Sequence, residues 1–399
     1  MRTFEDYCWL TGDEGRNWLR RVAEDPRLLV RQAAALRKEL SAERTHLVLQ
    51  QVELRRRARA KFSEADRMFF TPLRLEQASD GTTASYKAGR FPAKVPLADL
   101  CCGIGGDLVA LARRGSVLGV DRDPVTALMA SANLAELNPL DGQSAERVLA
   151  ADVGVIGIGD YAAWHIDPDR RAEGRRTTRV EFHEPGPATI DQLLGGAPAA
   201  AVKLAPAAAL PEEWVRRAEL EWISRGRECR QLVAWFGSLA ERPGSRRATV
   251  LAEESPGRLQ GVRTIFGQAS EAVPVAPRVG RYVFDPDPAV IAARLVAALA
   301  EQHGMAAADP GSLYLTGDRP VAEPALACFE VTDVVPFDRK RLRQLLASRG
   351  IGRLEIKKRA VPVDPEQLRR GLRLRGDQAG VLLLTPIGAK VLAILARRV

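Results

Sequence analysis

The sequence predicts a mixed α/β chain built on a doubly wound, mostly parallel sheet, and three observations carry that reading. Apolar strand-like segments alternate with helix-patterned ones from Val95 onward, a glycine turn follows the first strand, and an acid closes each of the first four. Alternation at these intervals argues strand–helix–strand units. In such sheets ligands bind beyond the carboxyl ends of the strands.

Bulk properties bound the rest. At 399 residues the chain exceeds one ordinary core, and a 46% hydrophobic fraction suits globular folding. No run of about 18 apolar residues suggests a membrane span, and the opening MRTFEDYCWL has no secretory-signal pattern, so a cytoplasmic protein is expected. Cys8, Cys101, Cys102, Cys229 and Cys328 form no CxxC pair and have no histidine at ligand spacing. Neither a metal site nor a disulfide framework is expected. Oligomeric state is unreadable.

Four segments follow from the pattern: residues 1–94 helical, 95–278 α/β, 279–325 a bridging helix and linker, and 326–399 a basic α+β module. In the first, Leu28, Leu29, Ala33, Leu36 and Leu40 recur at helical spacing. Its basic stretch, Leu54 to Phe62, reads either as a solvated face or as a guide for a polyanion. Thr71 and Pro72 fit an N-cap with proline in the first turn of the next helix.

In the second segment we expect strands at Leu97 to Cys101, Ser116 to Asp121, Glu146 to Asp152 and Tyr161 to Asp167, with a helix from Asp107 to Arg114. Another strand is expected within Ala199 to Ala207, a helix near Glu212 to Glu221, and strands at Cys229 to Gly237 and Ala248 to Glu254. In the last segment the expected order is strand Phe329 to Val335, helix Asp338 to Ser348, strand Arg353 to Val363, helix Pro365 to Leu372 and strand Gly380 to Pro386.

The glycine turn selects the ligand. A dinucleotide fingerprint needs Gly or Ala at position 108, where this chain has Leu108. S-adenosylmethionine carries no phosphate and needs close backbone approach, an acid for its ribose hydroxyls and an acceptor for its adenine amine. Gly103, Gly105 and Gly106 allow the approach, Asp121 suits the ribose and Asp152 the adenine. Asp99 lies near the positive end of the following helix, placed to fix the loop or attract an ammonium. Cys101, Asp107 and Arg122 complete the expected cofactor set. Cys101 and Cys102 read as small apolar fillers rather than nucleophiles.

Asp99, Gly103, Gly105 and Asp107, with Asp121 closing the next strand, resemble the first motif and ribose acid of class I S-adenosylmethionine-dependent methyltransferases. Gln77 in LEQAS, the DPDRR stretch from Asp167 to Arg171, VKLAP around Lys203 and the modules FEVTDVVPFDRKRLRQLL and RLEIKKRA extend the likeness. Together they resemble bacterial methyltransferases that carry a C-terminal THUMP-like domain and are related to trimethylguanosine synthase-type RNA methyltransferases. The resemblance implies a Rossmann-like catalytic domain, S-adenosylmethionine as cofactor and an RNA acceptor, with tRNA or rRNA as the expected kind.

DPDRR is the implied reaction-side loop, yet it departs from the Asp/Asn/Ser-Pro-Pro-aromatic pattern of enzymes that methylate planar amines. The second proline and the aromatic are absent. Asp167 is the expected proton acceptor, Asp169 its reserve and Arg170 the third catalytic candidate. Pro168, Arg171 and Lys203 are expected at the substrate.

Residues 326–399 hold 16 Lys or Arg against 7 Asp or Glu, an excess equal to the +9 of the whole chain. Such a block suits a phosphate-rich partner, and Lys357 and Lys358 are the expected RNA contacts, with alternation along their strand sending neighbours to opposite faces. Two other readings stay open: a methyltransferase fold that binds RNA without catalysis, and a small-molecule or protein methyltransferase.

Overall fold

The computed structural model describes residues 3–25, 29–138, 147–172, 175–255, 258–270, 272–388 and 390–399. Two compact units divide the chain. Unit one comprises Met1–Leu220, Gln231–Gly244 and Glu253–Gly261; unit two comprises Glu221–Arg230, Ser245–Ala252 and Val262–Val399.

Five short strands form the parallel sheet of unit one: β1 (Leu97–Leu100), β2 (Val117–Asp121), β3 (Arg147–Ala150), β4 (Ala163–Ile166) and β5 (Ala200–Leu204). Pairing runs β5, β4, β1, β2, β3, all parallel. The order reverses between β1 and β4, which is where the doubly wound rule places a ligand. On its far side β5 pairs antiparallel with residues 232–236 of the strand Glu228–Phe236. β1, β2, β4 and β5 are buried along their whole length, as strands covered on both faces must be.

The N-terminal helices include Phe4–Thr11, Asp13–Glu24, Leu29–Leu36 and Ala42–Ala58. Their apolar faces meet in one core with Phe69, Phe70, Ile104 and Met129. Asn133, on helix Pro124–Leu137, stitches this core to the sheet domain. Its amide nitrogen donates to the Phe69 and Ile104 carbonyls at 3.0 and 2.8 Å, and its oxygen accepts from the Phe69 amide. Much of the basic stretch expected near Leu54 to Phe62 is committed internally. Arg55 donates to the Met68 carbonyl at 2.8 Å and stacks 5.1 Å from the Phe69 ring, and burial pushes its guanidinium down to about 10. Lys61 Nζ donates to the Leu75, Glu76 and Ala78 carbonyls.

The expected helix near Glu212 to Glu221 ends at Arg217, and Glu219–Arg225 is a strand. Two buried glutamates in a strand oppose propensity; tertiary partners override it. Glu219 is held by Arg90 at 2.5 and 3.1 Å, and Glu221 accepts from the Thr249 hydroxyl at 2.6 Å.

Unit two contains a seven-stranded sheet in the order Ala306–Ala307, Leu315–Gly317, Tyr282–Pro286, Leu326–Pro336, Lys390–Arg398, Gln378–Ile387, Ile351–Lys358. Residues expected to bridge supply Tyr282–Pro286, which pairs along Leu326–Glu330, before the helices Pro288–Ala292 and Val296–His303. Helix Pro365–Leu372 has its expected bounds, and helix Arg339–Ser348 starts one residue after its Asp338 cap. The closing strand Lys390–Arg398 has no counterpart among the expected elements. The two helices cover one sheet face with Leu342, Leu346, Leu368 and Leu372, while Val283, Phe329, Leu383 and Ile394 pack on the other.

Candidate active site

The turn after β1 begins with Cys101 at φ 57°, then Gly103 at 58° and Gly105 at 89°. A Cβ built on Gly103 would meet nothing within 4 Å, so this backbone is open to a ligand. The fit test for S-adenosylmethionine rests on that observation: a bare peptide in the left-handed region, beside an acid, offers the close approach the methionine part requires. Leu108 has its own cause. A Cβ on Gly119 would lie 2.9 Å from Leu108 Cδ2, so the leucine fills space left by a glycine of β2.

Asp121 closes β2 and is 4% exposed. One carboxylate oxygen accepts from the Gly103 amide and the other from the Asp123 amide, each at 3.0 Å. An ionised carboxylate has about four acceptor positions, so lone pairs remain for a ribose diol. Arg74 Nη2 stands 3.7 Å from Asp121 Oδ1.

A cleft of about 550 Å³, open mouth included, lies over this edge, lined by Cys101, Asp121, Arg122, Asp152, Asp167 and Asp169 among others. All six are among the residues expected at the site. Arg74, Glu184 and Pro185 also line it and were missed; they come from segments remote in sequence and carry no local signature. Arg122 Nη1 pairs with Glu184 Oε2 at 2.6 Å, which raises the guanidinium above its ordinary value. Asp152 caps its own turn through the Gly154 amide at 2.7 Å. Burial pushes the Cys101 thiol up, against a nucleophilic role.

Asp99, expected to fix the loop or attract the cofactor's ammonium, and Asp107, expected at the cofactor, both lie under the loop. Parallel register sets Asp99 beside His165, and Asp99 Oδ1 meets His165 Nδ1 at 2.7 Å with both residues buried. Helix Gly81–Ala88 brings Lys87 to the same face. Its Nζ lies 3.3 Å from His165 Nε2 and 2.7 Å from Asp107 Oδ1, and Ser79 Oγ donates to Asp107 Oδ2 at 2.7 Å. Burial raises the Asp99 carboxyl and lowers the Lys87 ammonium. Burial works against the Asp107 charge too, but Lys87, His165 and Lys203 outweigh it and hold that carboxyl below its ordinary value. Lys87 and His165 were not singled out in the sequence.

In the reaction-side loop, Lys203 Nζ ion-pairs with Asp167 Oδ2, so Lys203 reaches the site through that carboxylate. Asp169 exchanges backbone hydrogen bonds with Glu184 at 2.8 and 3.0 Å, and Gln77 Nε2 reaches its Oδ1 at 3.4 Å. Pro168 is buried and Arg170 half-buried. The side chain of Arg171 lies outside the described residues. Lys357, in unit two, binds Asp285 at 3.2 Å beside Arg359 at 2.7 Å, whereas Lys358 is exposed. Lys357 is thereby neutralised within its own unit. Among the described residues no helix is long and apolar enough to cross a membrane, and no group of three or more His, Cys, Asp or Glu is placed to hold a metal ion.

Comparison with known proteins supplies the family. A THUMP domain-like family matches residues 326–398, and a domain of unknown function matches residues 3–58. A solved methyltransferase structure from Porphyromonas gingivalis W83 shares the fold at a TM-score of 0.80, with 20% identity, covering 100% of this chain and 99% of that one. Uncharacterized S-adenosylmethionine-dependent methyltransferases of Mycobacterium tuberculosis strains CDC 1551 and H37Rv are 35% identical to this chain over 347 residues, spanning 84% of it and 91% of each relative. With the glycine turn, the strand-end acids and this likeness across most of its length, the chain belongs to the S-adenosylmethionine-dependent methyltransferases.

Proposed function

We propose that the protein methylates a nucleobase of RNA, with tRNA or rRNA as acceptor, in the cytoplasm. The observation that carries the RNA part is the coincidence of the THUMP-like segment with the whole positive excess of the chain. An RNA substrate needs such a surface, and a small-molecule substrate has no use for it.

In this reading the Gly103 backbone cradles the methionine part, Asp121 accepts from the ribose, and Arg122 and Asp152 flank the adenine. Gly105 and Gly106 shape the turn; Asp99 and Asp107 hold it from beneath. Bound there, S-adenosylmethionine supplies an electrophilic methyl group on a sulfonium. Asp167 faces the same cleft with one oxygen taken by Lys203. Its other oxygen would accept a hydrogen bond from an exocyclic amine, orient the nitrogen lone pair and take the amine proton when the methyl group passes from sulfur to nitrogen, the S–C bond breaking as the N–C bond forms. Lys203 acts by fixing the carboxylate's orientation. Asp169 and Arg170 border the acceptor and Pro168 stiffens the loop.

The test is incubation with methyl-labelled cofactor and total RNA from a strain lacking the gene, followed by nucleoside analysis. Label in one modified nucleoside is expected; label absent from RNA overturns the acceptor. Asp121→Ala is expected to weaken cofactor binding at least tenfold by calorimetry, and unchanged affinity overturns the ribose role. The absent aromatic in DPDRR favours a second reading, RNA binding without transfer. Cofactor binding with no methyl transfer to any RNA fraction identifies it.

A further inference from the structure

The reaction-side loop DPDRR has no aromatic residue, but the segment that folds back onto it carries one, Phe182, which is 51% exposed. Four contacts pin that segment. The Thr177 amide donates to the Arg170 carbonyl at 2.9 Å, Asp169 and Glu184 exchange their backbone hydrogen bonds, and the Ala209 amide donates to the Thr178 carbonyl at 3.1 Å. The Arg122–Glu184 ion pair ties it to the residue that follows β2.

Within the segment Val180–Phe182 is a single 3-10 turn. Residues three apart in such a turn eclipse one another, and burial follows that spacing. Val180 and His183 are buried, whereas Arg179 and Phe182 are exposed. The Arg179 guanidinium lies 5.1 Å from the centre of the Phe182 ring, so the two side chains share one surface. His183 is extended, at φ −80° and ψ 155°, which returns Glu184 to the outer side. Glu184 lines the cleft. Phe182 therefore stands just outside the rim on the same face, about 7 Å of extended chain from Glu184.

Charge decides what can enter the cleft. Asp121, Asp152, Asp167, Asp169 and Glu184 line it against Arg74 and Arg122. An excess of acid suits a sulfonium and repels phosphate. An RNA acceptor must then keep its backbone outside and turn one base inward, as enzymes that act on bases require. The next base of the strand is left at the mouth, where the exposed ring stands.

Resting on the RNA reading above, we propose that Phe182 and Arg179 form a subsite for the unpaired nucleotide beside the target. Its base stacks on the Phe182 ring, and Arg179 binds the phosphate that joins the two nucleotides. An exposed cation–π contact is weaker than base stacking on a ring, so an incoming base displaces Arg179 toward that phosphate. Every base has a face to stack. The subsite adds affinity without choosing the base, and selection falls to the cleft beside Asp167.

The experiment measures initial rates of methyl transfer from labelled cofactor to RNA from the deletion strain, with RNA and cofactor varied in turn. Phe182→Leu keeps an apolar side chain but removes the ring; it is expected to raise the KM for RNA at least about fivefold, the low end for loss of one stacked base. Phe182→Trp is expected to restore the wild-type value. Arg179→Gln should lower the slope of log KM for RNA against log salt by about 0.7, the contribution of one phosphate on a single strand. Phe4→Leu, at an exposed phenylalanine of the N-terminal helices, should change nothing. The KM for cofactor and the melting midpoint should stay at wild-type values in every variant, and a parallel rise in cofactor KM marks a structural role and overturns the assignment. A Phe182→Leu chain with wild-type KM for RNA, or a Phe182→Trp chain as weak as Phe182→Leu, overturns the subsite alone. A wild-type chain that transfers methyl to no RNA fraction overturns the acceptor reading and the subsite with it.

Discussion

Lys87 and Lys357 each face a carboxylate, at 2.7 and 3.2 Å, yet their surroundings differ. Around Lys87 the side chains of Asp99, His165 and Asp107 are buried, and the lysine and the imidazole face the two acids within one network. Around Asp285 three cations, Arg227, Lys357 and Arg359, gather, with Glu355 as a second acid 3.6 Å from Lys357, and each cation is a quarter to a third exposed. Solvent screens a surplus of like charge where it can reach, so the second cluster tolerates what the first cannot. The difference teaches why the cofactor loop rests on a closed, buried network while unit two carries the positive excess.

The sharpest way to break the comparison is Lys87→Met. It leaves Asp107 buried without its cation and is expected to cost about 3–5 kcal/mol in urea unfolding, and Lys87→Met/Asp107→Leu should recover part of that loss. A single variant as mild as a surface change would show that Lys87 is not needed to hold the buried Asp107. Asp285→Asn removes the shared partner of three cations; partial exposure limits the cost to about 2 kcal/mol, read as a lower melting midpoint at low salt and a smaller shift at high salt.

Acid sharpens the contrast next. Asp107 titrates below its ordinary 3.8 in the fold, so the unfolded chain binds more protons there and stability rises with pH. That contribution is complete above about pH 5 and is lost as pH falls through 4 and below. Asp107→Asn should flatten the stability–pH curve in that window, and a curve of unchanged slope refutes the assignment. The smallest expected effect is Lys357→Met, under about 1 kcal/mol, because Arg359 and Arg227 stay on Asp285. A loss as large as that of Lys87→Met would erase the distinction between the two clusters.

Legibility followed the range of the interactions. Helix Pro365–Leu372 could be read because its cap, its proline and its apolar spacing lie within a dozen residues. The last strand could not, since VLAILA fits a buried strand and a buried helix equally and becomes a strand by pairing antiparallel with two neighbours. The glutamates of Glu219–Arg225 concealed that strand for the same reason, since their partners, Arg90 and Thr249, lie elsewhere in the chain.

By itself the sequence determined the glycine turn, the acids that close the strands and hence the kind of ligand, because a left-handed peptide and a strand-end carboxylate are local chemistry. Tertiary structure alone decided which acids face the cleft. Asp121, Asp152 and Asp167 line it, while Asp99 and Asp107 turn beneath it toward His165 and Lys87. That choice depends on the register of β1 against β4 and on a helix packed across the same face. Neither is written in the residues of the loop, since each is a contact between segments dozens of positions apart.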